Sequence, residues 1–448
     1  KDGITLTSSD YNEYGRQTRL TDQNAGTTTY DYDALGQLTS QTNAAGQTTT
    51  LQYDVMGRNT VRQGPEGTTT TEYYGSGSGA ATNQLRKVTS FAGNVEEYSY
   101  DGFGRLNQQK EIIDGTEHVT NLGYNTYGDV TSRTFPSGFG TRQEYDGNGH
   151  LTVIRNGDNS VTLYTNNGLS GQGVNTAYSL GNGRSSTISH YYGMPTQYLT
   201  SGVQHLEMVW NYQSGNLTQR KDHVKGREEN FGYDNLDRLT SATVAGQAAQ
   251  TVNYGFIGNI DAKTDVGTYT YDGSRRNAIT GVTNLGGVIP NIGQNITYTG
   301  FSQPNTVSEN GFELSYLYGS DYERIRSITR QNGNEINRRY YFGDYEKDIT
   351  GGVTRHLHYI SSPAGLIGLV VRENGSDSYY YVYTDHQQRG GSGRAKLRCL
   401  GTTAQSRYLG HLCHSHSDRN AAGMVVSGLH GPRDARPLRA HQHERAAV

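Results

Sequence analysis

The chain has 448 residues, of which 32% are apolar, with a mean hydropathy of −0.76 and a formal net charge of −3. That is poor for a solid globular core. The small net charge and the 35 tyrosines argue equally against a disordered chain. No apolar run is long enough for a membrane helix, and the first 386 residues hold no cysteine for disulfides or thiolate metal sites.

Taken in chain order, a short box of the form Tyr-Asp-x-x-Gly-Arg/Gln-Leu-Thr keeps returning. The clearest copies start with Tyr32, Asp33 and Gly36; Tyr53, Asp54, Gly57 and Arg58; Tyr100, Asp101, Gly104 and Arg105; Tyr145, Asp146 and Gly149; and Tyr233, Asp234 and Arg238. Weaker copies begin at Tyr11, Tyr124, Tyr212, Tyr254, Tyr271 and Tyr298, and a degenerate one lies near Tyr74. The steps 11→32→53, 124→145 and 212→233→254 are each 21 residues. A fixed period of that size predicts stacked repeats.

Asp at the first position and Gly at the fourth suit a type I turn, with the glycine at positive φ forming the bulge that follows. Thr and Tyr precede the turn, and Leu, Thr and Arg follow it, as strand formers in rough alternation. A second turn falls between boxes, at Asn24–Gly26, Asn43–Gly46, Gly64–Gly67, Asp114-Gly115 and Asn156-Gly157. Each repeat is therefore one β-hairpin. The fold expected is all-β: a curved, hollow, single-layer antiparallel sheet over residues 1–386, continuous throughout, with same-phase tyrosines packing across strands.

The organisation read from composition is 1–155, regular repeats; 156–205, degenerate Gly/Asn/Ser-rich repeats; 206–340, repeats of variable spacing; 341–386, a terminal segment; and 387–448, a basic tail. Lys1 falls in what reads as mid-repeat, so a missing N-terminal part is expected and no signal peptide can be sought there.

Several local features invite chemical readings. Gly75–Gly79 lacks the Lys-Ser/Thr and helix of a phosphate loop, so it reads as a turn. His356 and His358 share one strand face without a third ligand and read as strand surface. The box aspartates read as turn caps rather than calcium ligands. Trp210, the only tryptophan, reads as a packing residue rather than a sugar platform. No cofactor, metal or nucleic acid is expected, and no catalytic constellation can be assembled.

The Tyr-Asp box resembles the YD repeat of Rhs proteins and of the related toxin-complex and teneurin families. Tyr341–Lys347, His356–Ile360 and Tyr380–His386 resemble the segment that ends the repeat array in bacterial Rhs proteins. The family pattern continues Leu-Gly-Ser after Thr-Asp-His, whereas Gln387-Gln388-Arg389 follows here. The resemblance implies a shell, or cocoon, around a variable C-terminal toxin. It implies a secreted or cell-surface bacterial carrier used against competing cells or hosts, with its own toxin, a secretion-system spike or cell-surface glycans as partners. A surface adhesion or carbohydrate-binding repeat protein is the other reading, and an enzyme in its own right is not expected.

Residues 387–448 hold nine Arg, one Lys, six His, both cysteines and a single Tyr, and no box. Cys413, His414 and His416 could suggest a metal site. Codons allowed for Lys396–Leu409 and for Met424–Val448, read one base later, spell NFDAWGRRRNPATW and WLYRGYTGHEMLDHFGLINMNGRL. Both resemble the Rhs core in its family order. The tail therefore reads as a frameshifted core, disordered as translated, and the core's self-cleavage residues are not carried over to this chain.

Overall fold

The computed structural model describes residues 6–75, 83–273, 276–285, 287 and 293–384, with the backbone of 398–400. Within them the secondary structure is β throughout. The strands form antiparallel meanders in which each pairs with the next in sequence. The first sheet has 26 strands, from β1 (Thr7–Tyr11) to β26 (Ile279–Val282), and does not close on itself. The second has 10, from β27 (Asn295–Tyr298) to β36 (Arg398–Leu400).

One hairpin shows why the box folds as it does. Strands β5 (Thr48–Tyr53) and β6 (Asn59–Gly64) are joined by Asp54–Gly57. The Gly57 amide donates to the Asp54 carbonyl at 2.9 Å, and the Asp54 amide donates to the Arg58 carbonyl at 3.0 Å. Gly57 has φ +79°, and the register slips between Gln52 and Tyr53. This is a type I turn closed by a left-handed residue and a bulge, a loop whose twist matches that of paired strands. Gly36, Gly104 and Gly149 do the same at φ +87°, +79° and +82°. The fifth clear box has no glycine there, and Asp237 takes φ +58° instead, a conformation Asp tolerates better than most residues.

Among the described residues, strand pairing ends at β26 and resumes at β27, on either side of a stretch that lies outside them. One expectation is corrected: the repeat assigned to Tyr212 is displaced. Trp210 and Asn211 occupy the Tyr-Asp positions, and Tyr212 lies inside the turn.

The ribbon winds back over itself, the second winding beginning at the last hairpin of the first sheet and continuing through the second sheet. All box turns lie along one long edge of the ribbon and all turns between boxes along the other. The second winding brings its box-turn edge against the between-box edge of the first. The Asn277 amide donates to Asn24, the Gly300 amide to Glu66, and the Ser320 hydroxyl to Glu96 at 2.7 Å. Further on, Arg133 pairs with Asp344, Asn182 bonds Tyr383 at 2.9 Å, and Gln204 donates to the Thr384 carbonyl at 3.0 Å. Both series run in the same chain direction, as a spiral requires.

The apolar core sits at this seam rather than inside each hairpin. Ile113, Phe135, Phe139, Ile154 and Tyr164 from the first winding pack with Phe342, Tyr345, Ile360, Val370 and Tyr381 from the second. Most of the first sheet remains half-buried, so the low apolar content is met by concentrating burial where windings meet. A further cluster, Leu357, Tyr359, Leu369, Val371 and Tyr380, occupies the opposite face of the last strands.

Candidate functional site: box clasps and the winding seam

Each box residue has an assignable job. The Tyr53 hydroxyl donates to the carbonyl of Leu38, in the box before it, at 2.9 Å. Tyr32, Tyr145 and Tyr233 do the same to Gln17, Val130 and Leu217. Trp210 uses its indole N–H in the same way on Pro195 at 2.8 Å. Tyr73, next to the expected degenerate box, reaches Asn59 at 3.1 Å. Burial raises the Tyr53, Tyr100, Tyr145 and Tyr233 hydroxyls above their usual range.

The aspartate organises the turn. Asp54 Oδ1 accepts the amides of Met56 and Arg58, and Oδ2 accepts Arg58 Nε at 2.7 Å. Asp101 and Asp234 repeat this with Arg105 and Arg238. The arginine hydrogen bond holds all three carboxyls below the usual range. At Asp146 the His150 amide is the main cause of the same shift. The guanidinium then lies over the next repeat's tyrosine: Arg58 over Tyr73 at 4.5 Å, Arg105 over Tyr124 at 4.7 Å, and Arg238 over Tyr254 at 4.4 Å. These arginine-bearing boxes are thus joined to the next repeat's tyrosine by their guanidinium, while the box tyrosines named above reach back to the box before. The expected contact between tyrosines of neighbouring strands occurs alongside this alternation. Tyr74 with Tyr100 is a tyrosine pair of the expected kind, edge to face at 6.1 Å.

These carboxylate oxygens are used by amides and guanidinium groups. Among the described residues no group of three or more His, Cys, Asp or Glu side chains is placed to hold a metal ion. Among the described residues no helix is long and apolar enough to cross a membrane. The Ser76–Gly79 part of the glycine-rich loop lies outside the described residues. So do the Cys413, His414 and His416 group and the frameshift reading of the tail. Of the tail only the backbone of β36 is described, paired with β35 (Ser376–Tyr383).

Several side chains of strongly shifted acidity lie at the seam, and of these the sequence reading singled out only His356 and His358. His358 is not strand surface. It is fully buried beneath the Phe135–Phe139 turn, with ring centroids 5.1 and 4.6 Å away. Its Nε2 lies 2.7 Å from Ser137 Oγ and its Nδ1 3.0 Å from the Val370 carbonyl. Desolvation takes His358 down to about 3 and His118, packed on Phe342 at 4.5 Å, down to about 4. His356 is half-buried and bonded to the Tyr345 hydroxyl at 2.6 Å. Burial pushes the Glu111 carboxyl up to about 8, and raises Asp344 despite the adjacent Arg133. A polar, tyrosine-rich signal at these positions does not distinguish lapped from open strands.

A meander of clasped two-strand repeats, wound so that one edge seals on the previous turn, defines a repeat-built β-shell protein. Residues 11–45 and 32–69 match the RHS Repeat family model. The first repeats of the chain, residues 11–69, are thus RHS repeats. No curated protein matches the sequence. Among solved structures, the chain is similar to TcdB2-TccC3, with 16% identity and a TM-score of 0.72 over 85% of this chain and 24% of that one. TcdB2-TccC3 without its hypervariable C-terminal region gives 16% identity and a TM-score of 0.71 over 85% and 24%. A Tc holotoxin pore from Photorhabdus luminescens gives 15% and 0.70 over 85% and 23%. At that identity the likeness establishes the fold, and the chain spans about a quarter of the length of those it matches.

Proposed function

We propose that this chain is a stretch of shell wall that encloses a C-terminal toxin and delivers it outside the producing cell, in competition with other cells or against a host. The observation carrying this reading is the seam. A ribbon that merely displayed loops would have no use for an apolar overlap between windings, whereas a wall must exclude water and proteases where its turns meet. The similar TcdB2-TccC3 structures, one of them made without a hypervariable C-terminal region, support a shell with a variable end. The wall itself is proposed to be catalytically inert. In the test, the intact polypeptide carrying this segment is treated with protease before and after mild denaturation. Protection of the region C-terminal to the wall, lost on denaturation, is expected. Equal cleavage in both states overturns enclosure, and growth arrest on producing residues 1–384 alone overturns inertness.

A further inference from the structure

Three histidines meet at the seam. His118 comes from β11 (Thr116–Tyr124) of the first winding, and His356 and His358 come from β33 (Val353–Ser362) of the second. They share one aromatic pair, Phe342 and Tyr345, whose rings stack at 5.4 Å. His118 packs on Phe342 at 4.5 Å, and His356 and His358 stack on Tyr345 at 5.9 and 5.2 Å. His118 Nε2 is buried without a hydrogen-bond partner.

The surroundings suit neutral rings. In the strand ladders His356 lies between Lys347 and Arg372, and His358 lies between Tyr345 and Val370. Lys347 disfavours positive charge at His118 and His356, and Arg372 does so at His356 and His358. Glu111 stands opposite His118, but its carboxyl is raised to about 8 and stays protonated in acid. The other carboxylates around the cluster are engaged. Asp114 is taken by Arg326, Arg338 and the Tyr340 hydroxyl, Asp344 by Arg133, and Asp377 by Nε and Nη2 of Arg372. Desolvation, ahead of these charges, holds all three imidazoles below their usual range, His118 at about 4 and His358 at about 3.

The seam is also able to part without unfolding. Among the described residues every strand ladder joins neighbours in sequence, so none crosses from one winding to the other. Side-chain packing and polar contacts between turns close the seam. Their loss leaves the backbone hydrogen bonds of each hairpin in place, which is the character of a local opening.

We propose that the His118–His356–His358 cluster is an acid-operated release for the winding seam: packed and neutral at neutral pH, it drives the windings apart once its rings take up protons. In the parted state each ring regains an ordinary, hydrated imidazole environment. The neutral rings therefore hold the seam fully above 6.5, and that hold is lost as pH falls from there towards 4 and below. One proton shifts the ratio of parted to closed seams by at most about tenfold per pH unit, and three shift it by up to about a thousandfold. Histidine clusters at interfaces are a general means of switching them in acid. That the parting frees an enclosed C-terminal segment rests on the shell-wall reading, whereas the parting itself rests on the seam alone.

The test follows the distance between windings in residues 1–448. Spin labels are placed on Glu117→Cys and Gln331→Cys, both at exposed positions, in a Cys399→Ser, Cys413→Ser background. As pH is lowered from 7 to 4, a longer-distance population is expected to appear and to grow by more than about tenfold per pH unit, the limit for one proton. Circular dichroism should still show β-sheet where that population dominates. The combined His118→Gln, His356→Gln, His358→Gln variant should keep its neutral-pH distance down to pH 4. His356→Gln alone, at a half-buried position, gives a second readout: the growth should become shallower by up to about tenfold per pH unit. A distance that stays unchanged to pH 4 overturns the proposal, as does parting that coincides with loss of sheet. Opening of the triple variant at the pH of the unsubstituted chain, or unchanged steepness in His356→Gln, overturns it too. Enclosure is read separately by protease protection, so either idea can fail without the other.

Discussion

The hydroxyl of Tyr53 donates to the backbone carbonyl of Leu38 at 2.9 Å, and the two residues are 15 apart, so the bond ties one repeat to the box before it rather than closing its own hairpin. Tyr53→Phe should therefore leave the turn intact and loosen the junction between repeats. A half-buried neutral hydrogen bond of this type contributes about 0.5–1.5 kcal/mol. Urea unfolding should show a loss of that size. An unchanged midpoint would mean the carbonyl is satisfied equally well without the phenol.

Gly57→Val should destabilise the β5–β6 hairpin by about 1–2 kcal/mol, because a side chain at φ +79° is strained whatever space surrounds it. The nearest obstacle to a new Cβ is the end of the Gln37 side chain at 2.8 Å, which can swing away. Gly57→Asn should recover much of the loss, since Asn tolerates the left-handed region. Equal losses for Val and Asn would show that space, not backbone strain, sets the cost.

Phe139 is 1% exposed in the seam, whereas Leu35 is 83% exposed on the rim. In residues 1–448, Phe139→Ala should cost about 3–5 kcal/mol, the range for a buried aromatic truncated to leave a cavity. Leu35→Ala should fall within about 0.5 kcal/mol of no change. Similar effects at the two sites would remove the seam as the seat of stability. Cleavage between windings by a dilute protease should accelerate in the Phe139 variant first.

Two desolvated groups at the seam should give opposite pH slopes. His358 is depressed from 6.5 to about 3, so its neutral form stabilises the fold fully above 6.5, and that contribution is lost as pH falls from 6.5 towards 3. Glu111 is raised from 4.5 to about 8, so its contribution is present below 4.5 and is lost as pH rises towards 8. Each slope is at most about 1.4 kcal/mol per pH unit. Measured by urea unfolding between pH 5 and 7, His358→Gln should remove the His358 contribution and make stability fall more steeply with rising pH. Glu111→Gln should do the reverse. The same slope in all three proteins would show that neither group is buried as described.

Trp210 stands in a box-tyrosine position, with its indole N–H on the Pro195 carbonyl at 2.8 Å. Trp210→Tyr should keep that bond, and Trp210→Phe should lose it together with about 0.5–1.5 kcal/mol. Greater stability of the Phe variant than of the Tyr variant would contradict the clasp.

The hairpin, its turn and its repetition were legible from local chemistry. Asp, Gly and the strand formers around them are read by the backbone within a few residues, so Asp54 to Arg58 folds the same way wherever the box occurs. That made the all-β repeat class and the glycine conformations readable from a string of letters. The Trp210 register and the fate of His358 were not readable in that way. Phe103 and Phe301 occupy equivalent places in equivalent turns, yet one is in water and the other is half-buried. What separates them is whether another winding lies alongside, which depends on the ribbon's accumulated twist over roughly two hundred residues rather than on neighbours in sequence. The local code determined the repeat, and only the winding of the whole ribbon decided which edge became core.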